Sequence, residues 1–258
     1  MEKMGYASLV SRIEQLIASH VFGSYPAGWD ETLVTRSLVK AIRGRLGDLL
    51  VTGFKRNFRI WWDAYVYGGA DTVVFSNLAL LVKIQHKDGS RVEGSALIEA
   101  RKRTDKKQGF DGLRWNQVSR LCSNAPHSQL LLYDYEDIRS FSSNIAIRVQ
   151  SMRPSYWREQ VLVSPFTYAV LAPTNLALAV KANDASLYTF SSPLAQQLVF
   201  RYLHGLDLDF TPKALTLARG YPGRLGHPET LLCLRVVEEG TQDVETLELN
   251  REAWKELE

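Results

Sequence analysis

The sequence predicts a mixed α/β fold with a central sheet flanked by helices, and three patterns carry that expectation. Apolar residues recur at helical spacing through the first fifty residues, aromatic and β-branched segments follow, and helix and strand patterns alternate through the rest. In chain order, MEKMGYASLVSRIEQLIASH sets Leu9, Ile13, Leu16 and Ile17 on one face. This is an amphipathic helix within an N-terminal segment, residues 1–28, and not a signal peptide. YPAGWDE (25–31) reads as a turn and helix start with Asp30 as N-cap. The helix is expected to run to about Leu50, with Glu31, Val34, Leu38 and Ile42 on one stripe. FRIWWDAYVY (58–67) is a strand pattern, broken by Gly68 and Gly69 and resumed in ADTVVF (70–75). LALLVKIQ (78–85) and VEGSALIEA (92–100) flank Asp88-Gly89, a hairpin-turn signal. The basic loop RKRTDKKQG (101–109) leads into a helical pattern over 109–125 that Pro126 ends, and SQLLLYDY (128–135) reads as a buried strand. Farther on, FTYAVLA (166–172), LALAVKA (176–182) and LLCLRVV (231–237) read as strands, and PLAQQLVFRYLHG (193–205) as a helix. Residues 139–258 are therefore a C-terminal α/β extension of the first sheet or a second domain, and the sequence leaves both open.

The 258 residues can bury a full core as one large domain or two small ones. With 45% hydrophobic and 23% charged residues the composition is that of an ordered, water-soluble protein. No apolar run approaches the roughly 20 residues of a membrane-spanning helix, so no membrane partner and a cytoplasmic location are expected. Cys122 and Cys233 lie far apart in apolar contexts, outside any CxxC or Cys/His pattern, and read as free buried thiols. The net charge of +3 is unevenly spread: residues 1–124 hold 19 Lys and Arg against 12 Asp and Glu, the remainder 12 against 16. A basic half suits a polyanionic partner. The absence of GxxxxGK[ST], GxSxG and GxGxxG patterns argues against a P-loop protein, a serine hydrolase and a dinucleotide-binding fold.

Two carboxylates stand out by their surroundings. Asp71 follows two glycines and precedes the apolar run Val73, Val74, Phe75. Glu99 closes the apolar strand Ala96-Leu97-Ile98. Strand alternation points Glu99 and Arg101 to one face and Ile98 and Ala100 to the other. An acid and a base at the end of a buried strand, with a second acid from the neighbouring hairpin, make a site for Mg²⁺. That ion takes one or two carboxylates and completes its shell with water and phosphate oxygens.

The succession of a helix bearing an acid, a hairpin bearing Asp, then apolar-Glu99-Ala100-Arg101, a helix and a strand resembles the core of the PD-(D/E)XK nuclease superfamily over roughly residues 29–138. The resemblance implies a restriction-endonuclease-like αβββαβ core and a Mg²⁺- or Mn²⁺-dependent endonuclease, with DNA the favoured substrate. It assigns Asp71 and Glu99 to the metal, with Glu31 as the first-helix acid in a supporting or second-metal role. Gln117 matches the glutamine that follows the motif in one branch of the superfamily, although Leu121 stands where that branch has tyrosine. Arg101 stands where the family has lysine, and an arginine stays charged and cannot serve as a general base. Three readings stay open: Arg101 replaces the lysine in an active enzyme, Lys102 or Lys83 substitutes for it, or the domain only binds.

Each residue also has an ordinary reading. Asp71 is also a normal turn residue, Glu99 a salt-bridge partner, Glu31 a first-turn acid favoured by the helix dipole, and Gln117 an exposed helix residue; Asp63 is a competing acid. Arg101, Lys102, Arg103, Lys106 and Lys107 form either a solvated run or a phosphate-binding patch beside the site. Trp61, Trp62 and Trp115 suit core packing better than base stacking. The rival to the nuclease is an inactive protein of the same fold that binds nucleic acid or a protein partner as an assembly or scaffold component. Defence, repair and mobile-element systems all use such folds, with protein partners or as homo-oligomers.

Overall fold

The computed structural model describes residues 2–52, 56–69, 73–104, 109–139, 166–221, 225–241 and 246–257; Asp71, Lys106 and Lys107 lie outside the described residues. The elements run β1 (Glu2–Gly5), α1 (Tyr6–Val21), α2 (Glu31–Leu46), β2 (Asp48–Thr52), β3 (Asn57–Tyr67), β4 (Val74–Gln85), β5 (Arg91–Lys102), α3 (Trp115–Asn124), β6 (Gln129–Ile138) and β7 (Thr167–Pro173). They continue with α4 (Thr174–Val180), β8 (Ser192–Pro193), α5 (Leu194–Gln196), α6 (Pro212–Ala218), β9 (His227–Glu238) and β10 (Trp254–Glu256). Helix α5 prolongs into a π-helical turn at Gln197–Arg201 and a 3-10 turn at Tyr202–His204.

Among the described residues the strands form one mixed ten-stranded sheet in the order β1-β2-β3-β9-β4-β5-β6-β7-β8, with β10 paired to β3. β4 and β5 are an antiparallel hairpin, and β6 lies parallel to β5 after the α3 crossover. The C-terminal region neither stays apart nor adds only at an edge. Its strand β9 runs between β3 and β4, antiparallel to the first and parallel to the second. The apolar run LLCLRVV suits that central place, because helices cover both faces there, burying Leu232, Leu234 and Val236 on one side and Leu231 and Cys233 on the other. Gly226 makes the entry possible: its φ is +96°, and a Cβ there would stand 2.2 Å from the Val73 carbonyl oxygen. The close approach lets the His227 amide donate to that same oxygen at 2.9 Å.

Helices cover both faces. On one side α1, α2 and the 194–204 helical run bury Leu9, Ile13, Leu38, Ile42, Leu198 and Tyr202 against Ile60, Trp62, Leu80, Ile98, Ala100 and Leu234 of the sheet. On the other, α3 and α6 pack Leu121, Ala214 and Leu217 on Leu81, Leu97, Leu231 and Cys233. Val118 and Ala177 of α3 and α4 sit with Leu130, Leu132 and Val170. Each such large apolar side chain contributes about 1.5–3 kcal/mol when fully buried. Both cysteines are free thiols. No helix among the described residues is long and apolar enough to cross a membrane.

Several local expectations are corrected. α2 stops at Leu46 and does not reach Leu50: the chain breaks at Gly47, and residues 48–52 hydrogen-bond as β2 to β3 and β1. Two ladders outweigh four further helical residues. Residues 2–5 are likewise strand, drawn out of the first helix by pairing with β2. Residues 109–114 are not helical, since Gly112 has φ +61° and Arg103 bridges Phe110. LALAVKA, read as a strand, is mostly helix α4, ended by Lys181 in the left-handed region. The edge of β7 that it would have joined is taken by β8.

One buried acid lies within the core. Glu14 of α1 accepts from the Thr167 hydroxyl of β7 at 2.8 Å, and burial pushes its carboxyl up to about 7, against the lowering effect of that hydrogen bond. A folded-state pKa above the unfolded value favours the protonated form. The stabilisation it gives is full below about pH 4.5 and is lost as pH rises through about 7. Glu14→Gln keeps a hydrogen-bonding side chain without the charge. In urea titrations it should match wild type near pH 4.5, exceed it at pH 8, and show a shallower fall in stability between those values.

Candidate functional site

The C-terminal end of β5 brings a charged pair into the layer beneath α3. Ile98 and Ala100 enter the α1/α2 core while Leu97 faces the α3/α6 side, so alternation carries Glu99 and Arg101 toward α3. Both are buried, at 2% and 6% exposure. Arg101 Nη2 lies 2.6 Å from Glu99 Oε1 and donates to Gln117 Oε1 at 3.0 Å, and Gln117 Nε2 donates to Glu99 Oε1 at 2.7 Å. Arg101 Nη1 donates to the Ala100 carbonyl at 2.7 Å. Gln117 thus bridges acid and base, with its amide orientation fixed by one bond given and one received.

Two atoms of the triad are left over. Glu99 Oε2 and Arg101 Nε are buried without a hydrogen-bond partner. Burial pushes the Glu99 carboxyl up to about 7; the Arg101 guanidinium works against this, while the charges of Glu229 and Glu31 add to it. The charges of Glu229 and Glu31 thus reach Glu99 from two other elements, β9 and α2.

Glu229 was not among the residues expected from sequence. It sits near the start of β9, one residue from Thr230, which is paired with Leu78 of β4. Its Oε2 accepts from the Thr32 hydroxyl of α2 at 3.0 Å and from Asn77 Nδ2 at 3.1 Å. Asn77 Oδ1 in turn accepts the Ala100 amide at 2.8 Å. Asn77 thus ties β9 to the strand that carries Glu99. An acid ahead of the apolar run LLCLRVV was the available signal, the same signal that singles out Glu99 at the other end of its run.

The remaining expected residues are dispersed. Glu31 opens α2, where Asp30 caps the helix by accepting from the Thr32 and Leu33 amides, and it reaches Glu99 through its charge. The Lys102 ammonium donates to the Trp29 carbonyl. The Arg103 guanidinium bonds both Asp134 and Glu136 at 2.8 Å. Lys83 pairs in register with Glu93, six residues along β5 from Glu99, about 20 Å at strand rise; its ammonium donates to the Thr246 carbonyl, and it does not substitute at the site. Asp63 faces Arg235 at 3.4 Å. Trp62 is core, and Trp61 lies under Arg59 and Arg235. Among the described residues no group of three His, Cys, Asp or Glu side chains is placed to cage a metal ion. Comparison with protein-family models, curated proteins and solved structures gives no match.

The arrangement makes a sharp electrostatic prediction. Arg101→Leu strands Glu99 without its cation, and breaking a buried pair in this way costs about 3–5 kcal/mol. The loss should be largest at pH 8, where Glu99 is ionised, and smaller at pH 5.5, where a carboxyl with a pKa of about 7 is already neutral. Chemical denaturation at the two pH values measures it; an equal loss at both would remove Glu99 as the cause.

Proposed function

We propose that the chain is a divalent-metal-dependent phosphodiesterase acting on nucleic acid, with DNA the favoured substrate, on a core similar to that of the PD-(D/E)XK nucleases. The observation that carries this reading is Glu99 Oε2: a buried, unpartnered carboxylate oxygen within the charge of Glu229 and Glu31. A carboxyl in that state is a poor structural element and a good ligand, since a cation would supply the partner it lacks. The donor set fits one hydrated Mg²⁺ or Mn²⁺ held by one or two carboxylates, and not a dehydrated protein cage. Glu99 and Glu229 would hold it, with Glu31 in the outer shell and Asp71, outside the described residues, as the further ligand expected from sequence. Once bound, such an ion supplies an activated water and offsets charge on a phosphate.

The side chains do the rest. Arg101 is a permanent cation beside the Glu99 carboxylate and binds phosphate oxygens through its guanidinium fork; it cannot take the proton of the attacking water. Gln117 is a positioning residue that holds Glu99 Oε1, leaving Oε2 as the free ligand atom. Lys102 is turned to the Trp29 carbonyl, on the face opposite Arg101, and is not the base.

A second reading has its own observation. Arg101 already occupies Glu99 Oε1 at 2.6 Å, so the internal cation competes with any metal, and the fold would then serve as a binding or scaffold component. Purified protein incubated with plasmid, linear duplex and single-stranded DNA in Mg²⁺, Mn²⁺ or EDTA separates the two. The nuclease reading expects metal-dependent cutting that falls at least a hundredfold in Glu99→Ala and in Glu229→Gln, together with a Mn²⁺-induced rise in Tm that Glu99→Ala abolishes. Salt-dependent DNA binding with no cutting and no metal-induced change in Tm would instead establish the second reading.

A further inference from the structure

A groove of about 850 Å³ opens beside the Glu99 cluster, lined by Val74 and Phe75 at the start of β4 and by Leu113, Arg114, Trp115, Asn116, Gln117 and Arg120 at the entry of α3. Its composition is specific. Two of the lining residues are arginines, two are aromatic and none is acidic. Arg120 is held in place: its guanidinium lies 5.4 Å from the Phe75 ring centre and donates to the Leu225 carbonyl at 2.5 Å. Arg114 is exposed at the helix start. Trp115 rests one side on the cluster around Val118 and Leu130, which fixes the ring while part of it borders the groove. Gln117 is at once a wall of this groove and the residue that holds Glu99 Oε1.

From this we infer that the groove is the track of an unpaired nucleic-acid strand, with backbone phosphates on Arg114 and Arg120 and a base against Trp115. The inference rests on the nuclease or binding reading of the neighbouring cluster and names its substrate class. The groove's volume falls among pockets that enclose small molecules, roughly 300–1,000 Å³, room for a few nucleotides of one strand. Chemistry agrees. Base faces are hidden by stacking in a duplex and available in a single strand, where aromatic side chains and a cationic track bind without sequence preference. Among the described residues the lining holds two arginines and no acid, which favours an anionic occupant over a cationic one. The strand passes along Gln117, behind which Glu99 and Arg101 are buried.

The test measures binding in EDTA, so that hydrolysis plays no part. Fluorescence anisotropy compares a labelled oligo(dT) 12-mer with a 12-base-pair duplex. Wild type should bind the oligomer at least tenfold tighter. The Arg114→Gln/Arg120→Gln pair should lose at least tenfold and lower the slope of log affinity against log salt by about 0.7 for each phosphate contact removed. Trp115→Ala should weaken binding roughly 5- to 150-fold, the range of one lost stacking contact, and Trp115→Phe should restore it to within a few-fold. Arg114→Glu, a change at an exposed position, gives a variant whose folding is not in question and should lose at least as much as the neutral pair. Duplex binding equal to or tighter than the oligomer, or folded groove variants that bind as wild type does, overturns the inference. The two proposals fail separately. Oligomer binding through these residues without metal-dependent cutting leaves the groove and removes the nuclease; cutting lost in Glu99→Ala but unchanged in the groove variants does the reverse.

Discussion

Strand β9 occupies the middle of the sheet, and its position constrains nearly everything else in the molecule. It is hydrogen-bonded to β3 over Phe58–Val66 on one side and to β4 over Val74–Gln85 on the other. Without it those two strands would each present an open ladder at the centre of the core. Because β9 lies parallel to β4, the chain must cross the sheet end to begin it, and Gly226 makes that entry against the Val73 carbonyl. The consequence is chemical as well as architectural. The start of β9 delivers Glu229 to the end of β5, where Glu99 waits. A chain ending before residue 227 would lose both the central ladder and the second carboxylate. Such long-range pairing also makes folding slow relative to a local α/β arrangement.

The core then has to accommodate a charge. An acid at 2% exposure is costly unless its oxygens are satisfied. The fold satisfies one oxygen of Glu99 with two donors and leaves the other with none. A purely structural ion pair would be expected to spend its hydrogen bonds more evenly. Glu229 likewise takes both its donors, Thr32 and Asn77, on Oε2, but it is only half-buried, whereas Glu99 is buried with Oε2 unpartnered. The unsatisfied oxygen of Glu99 falls near the terminus of its strand.

Legibility in the sequence follows the range of the interactions. Apolar alternation in LALLVKIQ and in the residues around Ile98 placed β4 and β5, and the 3–4 spacing of Val34, Leu38 and Ile42 placed the buried face of α2. Asp30 as N-cap was equally readable, because capping is a contact between near neighbours. What failed was set from a distance. Residues 48–52 carry no intrinsic reason to leave the helix other than Gly47; the partners that draw them out are β1 and β3. LALAVKA alternates too weakly to separate strand from helix, and the prior claim of β8 on the β7 edge decided the matter. At the site, Glu99, Arg101 and Gln117 could be read because they lie within eighteen residues of one another on a strand and the helix after it. Glu229 lies 130 residues from Glu99, and only the insertion of β9 makes them neighbours. Asn77 and Thr32 had no signal of their own, since an amide and a hydroxyl become informative only when the acid they hold is known.

Arginine at position 101 connects the cluster to the groove. A lysine there would carry a proton that can be shed when buried, and so could serve a water-activating role. An arginine gives up that option and gains a planar fork able to bond two partners at once. In this structure the fork holds the Ala100 carbonyl and Gln117, and the ion pair with Glu99 fixes its direction. Gln117 stands between the groove and the buried Glu99–Arg101 pair. In the reading proposed above, an arginine here would place an anion and not move a proton. The Gln117 amide touches both Glu99 and Arg101 and so fixes acid and base relative to each other, and the helix that carries it forms a wall of the groove.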